Sequence, residues 1–235
     1  MKRIFVLFAL FIFCVSCGSR ERTAPSVYKS RDQLAALGFE FTKEDFVKAI
    51  KEKKSDIVKL FIDSGMNPNT TLEVGKYQIP VIFYAINAGD DMTFQVLLHS
   101  KTDIMASVGG VSVLAKAAEK GTPEMISLII KSGANIDTKG YGGMTPLMTA
   151  IESENSGAAW LFIQSGANIN AADDLGITPL MRALGKGNVD IVRELIKKGA
   201  DVNAVTKNGT KTSSFIGKKE REAMEVLLRD AGAKF

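Results

Sequence analysis

Residue types that do chemistry in proteins are sparse in this chain. His99 is its one histidine, and Cys14 and Cys17, both near the start, are its two cysteines. A lone imidazole cannot complete a zinc site or a Ser-His-Asp triad, and two neighbouring thiols supply neither a thiolate metal cluster nor a disulfide framework. His99 closes an apolar helical pattern and reads as a helix-end or surface residue. The glycine clusters Gly140-Tyr141-Gly142-Gly143 and Gly185-Lys186-Gly187 do not follow a strand at phosphate-loop spacing, so they read as turns. Asp173-Asp174 is the nearest approach to an acid pair, but these adjacent aspartates are expected at the tip of a solvated turn, in no obvious cleft. Lysine-rich stretches at 51–54 and 218–221 are each interrupted by glutamate and read as solvated helix faces. Neither an enzyme mechanism nor a cofactor or metal site is expected from these residues.

The elements that would carry them begin with an unusual N-terminus. Met1-Lys2-Arg3 is positive, residues 4–15 are an unbroken apolar run, and Ser16-Cys17-Gly18-Ser19 follows. That is the layout of a secretory leader, and the run is well short of the roughly 20 apolar residues of a spanning helix. Of 30 basic residues, Lys2 and Arg3 leave with such a leader, so the remainder nearly balances the 26 acidic ones. A nucleic-acid binder usually shows a dominant basic excess, and none is expected here. Residues 18–37 are polar and aperiodic and read as a flexible tether. The expected organisation is a leader at 1–16, Cys17 and its tether over 17–40, and one folded domain over 41–235.

The ending Cys14-Val15-Ser16-Cys17 resembles the lipobox of bacterial lipoproteins, in which a small residue precedes the cysteine that is acylated and becomes the first of the mature chain. Ser16 and Cys17 fit that pattern; Cys14 departs from it, standing where the family usually has Leu or another aliphatic residue. The alternative is an ordinary leader cut near Ser16 or Ser19, with Cys17 a spectator. The resemblance implies a lipid anchor on Cys17, and two or more acyl chains, each buried CH₂ contributing about 0.8 kcal/mol, hold firmly.

Self-similarity dominates the rest. Gly143-Met144-Thr145-Pro146-Leu147-Met148-Thr149-Ala150 returns 33 residues later as Gly176-Ile177-Thr178-Pro179-Leu180-Met181-Arg182-Ala183, and Gly133, Gly166, Gly199 and Gly232 recur at the same interval. Thr145 and Thr178 are expected N-caps, with Pro146 and Pro179 at the first helical position, where a missing N–H costs nothing. Leu180, Ala183 and Leu184 then line a first helix, and Ile191, Val192, Leu195 and Ile196 form the buried stripe of a second. Gly166 and Gly199 follow second helices where a left-handed residue is wanted.

Together these segments resemble the ankyrin repeat, whose signature is Thr-Pro-Leu-His-x-Ala at a 33-residue period. Met148 and Met181 replace its histidine, so the hydrogen bonding that histidine provides must come from elsewhere. Ala49, Ala85, Ala117, Ala150 and Ala183 mark five copies, the first two spaced 36 apart, which implies an insertion of about three residues around 70–76. In the second copy Lys101 stands in for the recurring glycine. A sixth copy from Gly209 lacks Thr-Pro-Leu, and Met224, Leu227 and Leu228 with surrounding charges mark it as a C-terminal cap. The resemblance implies an all-α solenoid of stacked helix-turn-helix units with short β-turn tips. It also implies that tips and first helices form a concave protein-binding surface. Matched residue by residue, that surface comprises Lys139, Tyr141 and Met144, then Asp174, Leu175 and Ile177, then Lys207, Asn208 and Thr210. The alternative for Leu175 and Ile177 is packing between neighbouring turns. Glu194 and Lys198 are expected on the opposite, polar face.

The functional expectation is a non-catalytic, monomeric module that binds a protein partner while lipid-anchored at a bacterial envelope. It is expected to face the periplasm, with the outer membrane favoured because Gly18 is not the aspartate associated with inner-membrane retention in enteric bacteria. An inhibitor or immunity-type protein that neutralises a specific enzyme is the alternative, and it would use the same surface.

Overall fold

In the computed structural model, residues 25–235 are described, and Cys14 and Cys17 lie outside them. The described chain opens with α1 (Pro25–Ala36), followed by five helix pairs: α2 (Lys43–Lys51) with α3 (Ser55–Asp63), α4 (Val81–Ala88) with α5 (Asp91–His99), α6 (Val113–Lys120) with α7 (Pro123–Lys131), α8 (Pro146–Glu152) with α9 (Ser156–Gln164), and α10 (Pro179–Lys186) with α11 (Val189–Lys197). A sixth unit has only a 3₁₀ turn, Thr212–Phe215, before α12 (Arg221–Asp230). First helices pack on first helices and second helices on second helices, giving an inner and an outer row with a continuous apolar core between them.

Local chemistry sets each pair. Thr42, Ser112, Thr145 and Thr178 cap the inner helices, each side-chain oxygen accepting the backbone N–H three residues on. Ala49, Ala85, Ala117, Ala150 and Ala183 are all fully buried, where a small side chain lets neighbouring inner helices approach closely. Lys101 takes φ 63°, the left-handed conformation that its glycine counterparts adopt elsewhere.

The insertion expected at 70–76 is a hairpin. β1 (Thr71–Val74) pairs antiparallel with β2 (Tyr77–Pro80), and β3 (Ser107–Val108) with β4 (Val111–Ser112) forms a smaller one in the next unit. The tips of the second and third units are therefore two-stranded ribbons rather than simple turns.

The tether expected through residue 40 is corrected by α1. Leu34 and Phe39 are buried, and Arg31 lies 4.0 Å over the Phe41 ring while its Nε donates to the Ser64 carbonyl at 3.3 Å. Phe39, Phe41 and Phe46 all pack on Phe61 of α3, at centroid distances of 6.1, 6.1 and 5.4 Å. Without α1, the first outer helix would present this aromatic cluster to water, and terminal units need a polar cover.

Beyond each outer helix a tail of side-chain amides and carboxylates ties one unit to the next. Asn69 Oδ1 accepts from the Asp103 amide at 2.6 Å, Asp137 from Asn168 at 2.9 Å, Asn170 from Asp201 at 2.8 Å and Asn203 from Lys234 at 2.8 Å. Three of these asparagines also donate through Nδ2, to the carbonyls of Lys101, Gly199 and Gly232. At the equivalent position of the second unit stands Met105, exposed and without an oxygen to offer, and the ladder skips that rung.

Candidate protein-binding surface

The three tips expected to bind are built alike. Each is closed by a backbone bond across five residues: the Gly140 amide donates to the Met144 carbonyl at 2.8 Å, Asp173 to Ile177 at 3.1 Å, and Thr206 to Thr210 at 3.0 Å. Adjacent tips are then joined to one another. The Asp174 amide donates to the Gly142 carbonyl at 2.9 Å, the Lys207 amide to the Leu175 carbonyl at 3.0 Å, and Lys139 Nζ to the Ala172 carbonyl at 2.9 Å. This approach requires glycine. A Cβ on Gly143 would fall 2.8 Å from the Asp174 backbone nitrogen and one on Gly176 would fall 2.7 Å from the Lys207 nitrogen, and both residues also have positive φ.

Held this way, Tyr141 is 82% exposed and Leu175 is 66% exposed. Leu175 therefore does not pack between turns. Met144 and Ile177 are half-buried, and the Ile177 amide donates to Asp173 Oδ1 at 2.8 Å. Lys139, Asp174, Lys207 and Asn208 are exposed, while Thr210 is half-buried, its hydroxyl donating to Asn208 Oδ1 at 2.8 Å. Leu175, Ile177, Lys207, Asn208 and Thr210 come together around a hollow of about 180 Å³, with Phe215 on its wall. Lys139, Tyr141 and Met144 occupy the preceding tip outside that hollow, and Asp174 sits at the junction.

Two polar expectations are corrected. Asp173 is buried, not solvated: its Oδ1 accepts the Leu175 and Ile177 amides and its Oδ2 pairs with Arg182 Nη2 at 2.5 Å. Arg182 also reaches Glu152 on the preceding inner helix at 3.1 Å, and Lys186 meets the same carboxylate at 2.9 Å. The Lys186 hydrogen bond, with Arg182 adding to it, holds Glu152 below the usual carboxylate range despite partial desolvation. Glu194 is likewise buried rather than facing water, because Gln164 on the adjacent outer helix donates to its Oε1 at 3.0 Å. Met148 and Met181 are fully buried, and the bonds that join neighbouring units on this side are made by tip backbone and by Arg182. His99 is exposed at its helix end, with Nδ1 2.7 Å from the Gln95 carbonyl. Among the described residues no group of three His, Cys, Asp or Glu side chains gathers to hold a metal.

Sequence reasoning missed a second concavity of about 360 Å³, lined by Val74 and Ile79 of the first hairpin, Val108 and Val111 of the second, and Phe83 and Tyr84 of α4. The available signal was the alternation Leu72, Val74, Tyr77, Ile79, in which every second residue is apolar across a Gly-Lys turn.

No curated protein matches the chain. The solved human ASB11 ankyrin repeat domain is similar in fold, with a TM-score of 0.74 and 19% identity over 91% of this chain and 100% of that one. A family model described as ankyrin repeats in three copies matches residues 46–140, 81–173, 114–206 and 158–235, which together run from within α2 through the closing unit. Capped inner helices at a 33-residue period, paired helices in two rows and tips joined by backbone bonds agree with that match, and the chain belongs to the ankyrin-repeat family.

Proposed function

We propose that this protein is an envelope-anchored binding module, held at a bacterial membrane through lipid on Cys17, facing the periplasm, and engaging a protein partner with the tips of its fourth to sixth units. Ankyrin repeats form protein-interaction modules. The observation that carries the choice of surface is the exposure of Tyr141 and Leu175 on tips fixed by hydrogen bonds. An exposed tyrosine presented rigidly beside Leu175 and ringed by Lys139, Asp174 and Lys207 matches the aromatic anchors that dominate interfaces, and a preordered backbone lowers the entropy cost of binding.

The test is to crosslink the full chain in the envelope fraction, identify the captured protein, and compare affinities. Tyr141→Ala with Leu175→Ala is expected to cost about 2 kcal/mol or more, at least a twentyfold loss. Lys198→Ala, an exposed outer-row change, is expected to leave affinity within about 0.5 kcal/mol. Wild-type affinity in the double variant would sink this surface. Anchoring has its own readout: Cys17→Ala is expected to move the chain from the membrane to the soluble fraction, and equal partitioning of the two forms would exclude the lipid.

A further inference from the structure

The groove between the two hairpins and α4 has a different character from the tip hollow. Its walls are mainly aliphatic and aromatic, with Val74, Ile79, Val108 and Val111 from the ribbons and Phe83 and Tyr84 from the helix, and they are completed by polar Asn87 and by the Lys116–Glu119 pair. In the hairpin register Val74 faces Tyr77 and Leu72 faces Ile79, so these four side chains share one face while Glu73 and Gln78 take the other. Val74 is 53% exposed and Tyr77 42%, a high exposure for apolar groups on a ribbon. A volume of about 360 Å³ falls within the range of roughly 300–1,000 Å³ for ligand clefts.

The charges around this groove are uneven. Lys51 Nζ, at the end of α2, sits 5.0 Å from the centroid of the Tyr84 ring, and Lys76 Nζ, in the β1–β2 turn, sits 5.2 Å from that of Tyr77. Both ammonium groups rest on rings rather than on carboxylates. On the α6 side Lys116 is paired with Glu119 at 3.0 Å, so that carboxylate is already engaged. The apolar surface is thus bordered by positive charge on the helix side and at the ribbon tip, and Glu73 points to the ribbon's other face.

We propose that this groove docks a segment of a partner protein in which apolar residues are flanked by carboxylates. The apolar side chains enter between the ribbons and α4, and the flanking carboxylates meet Lys51 and Lys76. Charge complementarity selects this occupant: a basic flank would face two ammonium groups, and the desolvation of Val74 and Tyr77 calls for apolar side chains rather than sugar or phosphate. The proposal rests on the interaction-module reading but not on Cys17 or on the Tyr141 and Leu175 surface.

The probe is an octapeptide with the central run Leu-Phe-Ile-Leu between pairs of glutamates, titrated into the full chain and compared with the same peptide flanked by lysines. The glutamate peptide is expected to bind at least tenfold more tightly, and to weaken as salt rises. Val74→Asp is expected to reduce its affinity tenfold or more. Lys51→Glu with Lys76→Glu is expected to reverse the preference in favour of the lysine peptide. All three positions are exposed, so the fold is expected to survive, and circular dichroism checks this. Equal binding of both peptides, no binding, or indifference to Val74→Asp overturns the proposal. So does tighter binding of a short thymidine oligonucleotide, or concentration-dependent dimerisation abolished by Val74→Asp, which would make a second copy the occupant. If one of these results is found while partner binding is still lost on Tyr141→Ala with Leu175→Ala, the groove proposal alone has failed and the interaction-module reading stands.

Discussion

Arg182 joins three parts of the inner surface: Glu152 from the preceding unit, Asp173 from its own tip, and the α10 backbone on which it stands. Lys186, one turn further along α10, closes on the same Glu152 carboxylate. Because Glu152 is held below its ordinary value of 4.5 in the fold, the pair contributes stability above that pH and loses it as pH falls through the lower folded value. Glu152 is nearly half exposed, so solvent screens the effect, and such pairs contribute roughly 0.2–1 kcal/mol. Glu152→Gln is therefore expected to lower the unfolding midpoint slightly at pH 7, with the deficit vanishing in acid well below pH 4.5. A deficit that persisted there would have a source other than charge. Asp173 illustrates what a sequence hides at this scale. Its neighbour Asp174 is exposed as expected, but Asp173 is buried because a guanidinium nine residues later folds back onto it, a pairing that no local pattern announces.

Caps, prolines and the alanine spacing made the five helix pairs and the cap legible, since each has a local cause: Thr145 and Thr178 bond within their own first turn, and Ala150 and Ala183 mark a fixed packing distance. Elements defined by what they touch were less legible. α1 offers few apolar residues, and Leu34 is buried only because α3 lies beneath it; the ribbons are two to four residues long, too short for a convincing pattern. The tail ladder falls between these cases, since its Asn and Asp residues were visible as markers while their role as cross-unit acceptors was not. Its gap supplies a test. Met105→Asn places an acceptor where Asn69, Asp137, Asn170 and Asn203 stand in other units. A net hydrogen bond contributes about 0.5–1.5 kcal/mol, so this variant is expected to be more stable by about that amount, with slower amide exchange at Asn135. Unchanged exchange at Asn135 would mean that no rung forms.

A two-row stack in which each unit touches only its neighbours is stabilised jointly by unit and interface contributions. Leu180 is 1% exposed in the fifth unit and Leu34 is 1% exposed in the N-terminal helix, so each truncation to Ala creates a similar cavity, at a cost of about 2–5 kcal/mol. Leu180→Ala is expected to weaken amide protection in the fourth to sixth units, whereas Leu34→Ala is expected to loosen α1 and α3 and leave α8 to α11 protected. Uniform loss from both variants would mark the chain as a single cooperative block. The docking of α1 also sets a reach. With acylated Cys17 as the proposed attachment and α1 beginning at Pro25, the connecting chain spans roughly 30 Å at most even when fully drawn out, whereas a free chain to residue 40 would permit roughly 80 Å. On that proposed attachment the solenoid would stay within arm's length of the bilayer, able to patrol the ectodomains of neighbouring membrane proteins but not a target on the far side of a wide compartment.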